Sequence, residues 1–225
     1  MAMSEPSTSP TLVEERDKLG RLIGRASMLE GQPHGTVERY LPDGTLVQHA
    51  NYAFGQLSGP MRAFDKQGRP VREAHYVEGV LQGPVTTYVD GRLANRQHYV
   101  GGVLHGESTA YAASGLVTAR MTYVAGKLER EAVYLHDDSV VRREHYVADV
   151  LHGDVHDYAR DGALVQTTPY RAGLAHGTVQ RFGPDGEVVE ERVYRQGKPQ
   201  GAWRRAGAAT GAKGAVGRLE KWVRG

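Results

Sequence analysis

Without a single cysteine, the chain's chemistry-bearing side chains are chiefly its ten histidines and 26 acidic residues. His152, Asp154 and His156 alternate along a predicted strand, so the two imidazoles and the carboxylate should share a face, with His145 across the preceding turn. That spacing makes them the best metal candidate in the chain. No outer partners that would orient such ligands are visible around them, and two of the four residues stand at ordinary repeat positions. His34, His105, His152 and His176 each precede a glycine, whereas His75, His98 and His145 each precede a tyrosine. Equivalent positions in consecutive units lie two strands apart, about 10 Å, while two ligands of one zinc must each approach it to about 2.1 Å. A shared repeat position therefore points to hydrogen bonding with turn backbone. The leading expectation is no metal and no cofactor.

Catalytic motifs fare no better. The chain lacks a Gly-x-Ser-x-Gly elbow and a His-Glu-x-x-His pair. Residues 207–214 superficially resemble a phosphate loop, but the glycine spacing is one short and Gly214 stands where Ser or Thr is required. A binding role is expected rather than an enzyme.

The elements that must carry these residues follow from a period. Tyr40, Tyr52, Phe64, Tyr76, Tyr88, Tyr99, Tyr111, Tyr123, Tyr134, Tyr146, Tyr158, Tyr170, Phe182 and Tyr194 recur every twelve residues, twice every eleven. Glycines double the unit to about 24 residues, in columns through Gly31, Gly35 and Gly44, the last often as Asp-Gly. Such fixed spacing marks a stacked repeat. About eight residues separate successive turns, the length of a strand and too short for a stable helix. Each unit thus reads as two strands joined by an Asp-Gly turn and linked onward by a Gly-x-x-x-Gly turn. In the first full unit Tyr40 is expected opposite Leu46, with Thr36, Glu38, Gln48, Ala50 and Tyr52 on the same face. Val37, Arg39, Val47, His49 and Asn51 should occupy the other.

The predicted fold is all-β, an elongated single-layer antiparallel β-hairpin repeat array, with seven full units and a partial one at each end. Residues 1–18 read as disordered or strand-poor, 19–203 as the array, and 204–225 as a basic Ala/Gly-rich tail that could form a short capping helix. The formal charge of +2 conceals an asymmetry, because six Lys/Arg and one acid lie from Ala202 onward, leaving the rest at −3. Such a tail could cap the end strand or touch anionic lipid, while nucleic acid is disfavoured as a partner. No signal-like or membrane-spanning apolar run is present, so a cytoplasmic location is expected.

The pattern Gly-x-Leu-x-Gly, aromatic, Asp-Gly-x-Leu, Tyr, seen from Gly79 through Tyr88 to Tyr99 and again from Gly102 to Tyr123, resembles the bacterial MORN-repeat variant of the YwqK-family antitoxins. It covers about residues 20 to 203. The resemblance implies β-hairpin arrays that bind proteins, and hence an antitoxin or immunity-type protein neutralising a toxin encoded nearby by direct contact. The alternative it implies is a membrane-associated or scaffolding MORN protein binding anionic lipid or a structural partner. For partner contacts the sequence offers His136, Asp137 and Asp138 in the irregular fifth unit, with Arg39, Arg62 and Arg143 as further exposed positions.

Overall fold

A computed structural model of the chain describes residues 9–207. These form one open antiparallel sheet of 22 strands, and no helix occurs among them. Five strands, such as Val80–Leu81 and Val103–Leu104, are two-residue pieces that run on after a short break into the strand that follows, leaving 17 positions across the sheet. Each position pairs with its predecessor and successor in sequence. At about 4.8 Å per step the sheet extends for roughly 75 Å.

Two kinds of turn alternate along the two long edges. Links between units are two-residue turns with both residues at positive φ, as at Phe54-Gly55 (47° and 78°) and Glu78-Gly79 (49° and 78°). Those angles define type I′ turns, whose twist matches that of the flanking strands. Most turns within units are longer. In residues 41–45 the Gly44 N–H donates to the Leu41 carbonyl, the Leu41 N–H donates to the Thr45 carbonyl, and Gly44 alone takes positive φ. The Asp43 carboxylate accepts the Thr45 N–H at 2.9 Å, which holds its pKa below the ordinary range.

A β-bulge beside this turn corrects the expected faces. Tyr40 does pair with Leu46, but Arg39 pairs with Gln48 and Val37 with Ala50, so one residue is inserted between them. The insertion reverses the alternation. Glu38 and His49 share what is here called the front face with Tyr40, while Ala50 and Tyr52 lie on the back with Val37 and Arg39. The twelve-residue aromatic period is therefore two interleaved columns on opposite faces. In the back column the tyrosines pair with glycines at positive φ, as in Tyr52 with Gly35 and Tyr76 with Gly59, except that Tyr146 pairs with Arg130 at φ 65°.

Tyr134 does not belong to the front column. Counting five residues on from the unit's turn position, Gly59 leads to Phe64 and Gly106 to Tyr111, whereas Arg130 leads to Leu135. Leu135 fills the front site, and Tyr134, paired with Arg142, falls on the back.

The core is one row. Nine of the eleven side chains buried among the described residues, from Ala50 through Val85, Ala132 and Val155 to Val179, lie along one lateral row on the back face. With no second layer, Ala50 at 0% exposure must be covered by longer side chains of neighbouring rows on the same face. Small residues fill most of the buried positions in this row, being the easiest for the neighbouring rows to cover.

Residues 1–18 are not strand-poor throughout, because Thr11–Arg16 forms the first strand and pairs with Leu22–Leu29. The expected capping helix lies outside the described residues. Before it, Arg204–Arg205 forms the last strand.

Candidate functional site

Six turns within units are the longer kind, and two are not. Asp90-Gly91 (51° and 74°) and Asp137-Asp138 (48° and 61°) are two-residue turns where their neighbours, such as 112–116 and 159–163, carry longer loops. A short turn beside a long one leaves a step in the edge. Both steps open into shallow grooves. One, of about 400 Å³, is lined by Ser139, Val140, Arg143, Tyr158, Arg160 and Gly162, and the other, of about 530 Å³, by Arg69, Asp90, Leu93, Tyr111 and Ala113 among others. The two are repeats of one site. Val140 corresponds to Leu93, Tyr158 to Tyr111 and Arg160 to Ala113, four strand positions apart, or about 19 Å.

In the groove at the fifth unit, Arg143 Nη1 donates to both oxygens of Glu131 at 2.9 Å, and this contact pushes the guanidinium pKa up. Arg160 reaches across the step to His136 Nε2 and Asp137 Oδ2, each at 3.4 Å, while remaining 77% exposed. The site presents an aromatic floor, an apolar wall, and two guanidiniums with carboxylates beside them. That is a surface for gripping a side chain, with no enclosed volume in which to tune a general acid or base.

The structure brings His136, Asp137 and Arg143 to this one groove, with Asp138 completing the turn. Arg62 lies on the same front row as Arg143 but seven strand positions away, and ion-pairs with Glu73 at 3.6 Å. Arg39 is on the back face. No one flat contact can use all three. Sequence reasoning missed Tyr158, Arg160 and the whole second groove. The signal was present in the eleven-residue spacing from Tyr88 to Tyr99, which marks a shortened turn.

Three of the four histidines that precede a glycine hydrogen-bond turn backbone. Nδ1 of His34, His105 and His176 accepts a backbone N–H from Phe54, Ala125 and Gln196 at 3.3–3.5 Å, tying each unit to the next turn. His152 is separated from Asp154 and His156 by Gly153 at φ 84°, where simple alternation breaks. The three are not drawn together. Among the described residues no group of three or more His, Asp or Glu is arranged to hold a metal ion.

The back face holds one buried carboxylate, Glu144. Burial favours its neutral form, yet hydrogen bonds from Tyr146 Oη (2.7 Å) and Arg142 Nε (2.6 Å) prevail and keep its pKa below the usual range. Burial and then Glu144 push the Tyr146 phenol well up. Arg142 also donates to Asp157 Oδ1 at 3.0 Å. The displaced Tyr134 lies beside this cluster, its own pKa raised by burial and then by Glu144.

Residues 33–53 match the MORN repeat variant family. That segment runs from Pro33 to Ala53, one strand, turn and strand, and the remaining units repeat its register. The chain is a MORN-like hairpin array. No curated protein matches it significantly. Among solved structures, one titled "Crystal Structure of TcdB2-TccC3-Cdc42" is similar at 12% identity over 84% of this chain, with a TM-score of 0.22. This chain spans 14% of that one, and so weak an overlay bears on neither fold nor function.

Proposed function

We propose that this protein is a non-catalytic binding module of antitoxin or immunity type, acting in the cytoplasm by covering a functional surface of a partner protein. The observation that carries the reading is the pair of equivalent grooves on one face of a repeat array. Affinity concentrates in a few anchors that fill desolvated pockets. A hydrogen-bonded sheet holds its grooves in place, so binding need not order a loop. The MORN repeat variant match supports a repeat binding module, and the toxin partner is the finer step proposed here.

The test is co-expression with the product of the adjacent reading frame. Rescue of growth together with co-purification is expected. Tyr158→Ala should weaken the complex by about 30-fold, corresponding to the ~2 kcal/mol of a typical anchor. If the product is toxic and this chain neither rescues growth nor co-purifies, while binding anionic vesicles, the membrane-scaffold reading replaces this one.

A further inference from the structure

Among the described residues the sheet is open, so each end presents a strand with one edge that no described residue pairs. At the N-terminal end this is Thr11–Arg16, exposed at every residue, with Leu12 at 61% and Val13 at 50%. At the C-terminal end it is Arg204–Arg205, also exposed. Unpaired edges are templates for another chain unless something in the sequence restricts which chain may pair.

The charges on the two edges supply that restriction. The first strand carries Glu14-Glu15 and the last Arg204-Arg205. Register places Glu14 and Arg204 at opposite ends of one front row, and Glu15 and Arg205 at opposite ends of one back row. The front row begins Glu14, Arg25, Glu38 and ends Glu191, Arg204. Setting the last strand of one copy beside the first of another therefore continues the alternation of sign without a break. Pairing in either strand direction puts both guanidiniums beside carboxylates. Two N-terminal edges would crowd four carboxylates together, and two C-terminal edges four guanidiniums. Like charges directly opposite across strands are destabilising.

We infer that this protein binds a second copy of itself end to end, the N-terminal strand of one chain pairing with the C-terminal strand of the next. The contact is heterologous and does not close on itself, so it produces chains of variable length. Among the described residues, intrachain partners do not use up either edge. Glu14 pairs with Arg16 at 2.6 Å and Arg25 at 3.6 Å through its side chain, which leaves the outer backbone groups of its strand open.

Sedimentation velocity over a range of concentrations tests this on the full chain. At about 0.1 M salt the mass should rise with concentration, and at about 1 M, where the Debye length shrinks to about 3 Å, it should fall toward monomer. E14K/E15K and R204E/R205E, each confirmed folded by circular dichroism, should each sediment as monomers. An equimolar mixture of the two should assemble again, because each variant then supplies the charge the other lacks. A wild-type chain that stays monomeric throughout overturns the inference. Assembly that survives in either variant alone, or fails to return in the mixture, also overturns it.

Discussion

One buried carboxylate breaks the small-residue pattern of the back-face row. Glu144 stands in a row otherwise filled by Ala, Val, Ser and Thr at its buried positions, and it is tolerable there because Tyr146 and Arg142 satisfy its oxygens. Tyr146→Phe removes one of those donors and is expected to cost about 1–2 kcal/mol in urea denaturation at neutral pH. The pH dependence has a definite sign. Because the Glu144 pKa is depressed in the fold, its contribution is present above about 4.3 and is lost as pH falls through the folded value. The Tyr146 pKa is raised, so its contribution is intact below about 10 and is lost as pH climbs beyond that. In Tyr146→Phe the acid limb should shrink, because the Glu144 carboxyl is then less depressed, and the alkaline limb should flatten. An unchanged acid limb would mean that Arg142 and Tyr134 hold the carboxylate without Tyr146.

Turns carry the argument at the scale of elements. Gly91 takes φ 74°, and a Cβ there would meet Arg69 Cβ and Cδ at 3.3 Å, whereas Arg92 is an ordinary strand residue. Gly91→Val should therefore destabilise by roughly 1–3 kcal/mol, and Arg92→Val by much less, as read from thermal melting. The reverse gain exists at Arg130, which holds φ 65° at a position where other units have glycine. Arg130→Gly should stabilise by roughly 0.5–1 kcal/mol. Asp149 looks like the same case (φ 69°), but its carboxylate accepts the Leu128 N–H at 2.7 Å, so Asp149→Gly forfeits a hydrogen bond and should gain nothing. Element type and order were legible in the sequence because glycine at positive φ has few substitutes. Faces were not legible, since the bulge at Arg39–Tyr40 adds a residue on one strand without leaving a mark in the aromatic spacing. Tyr134 shows the same limit. Its spacing fitted the column, but the hydrogen-bond register, set by the turn at Arg130, assigned the site to Leu135. The groove at the fifth unit was half legible, through His136, Asp137 and Arg143. Its aromatic floor was not, because only a comparison of turn lengths brings Tyr158 to the same place.

For the whole molecule, the decisive fact is that each strand touches only its neighbours. Stability in such a sheet is a sum of local terms, so damage should spread a few strands and stop. Ala50 offers a clean probe, being fully buried in the single back-face row. Ala50→Asp places a carboxylate there with no partner and should cost several kcal/mol locally. Amide exchange should accelerate from Leu22 to Phe64, the strands on either side, while Leu174 to Arg195 keeps its wild-type protection. A uniform rise across the chain would instead mean that the array unfolds as a single cooperative body. The distinction bears on binding as well. Only if the units are energetically local can the grooves near Tyr111 and Tyr158 remain ordered when the N-terminal end frays. In that case Ala50→Asp should leave partner affinity unchanged while lowering the onset of melting.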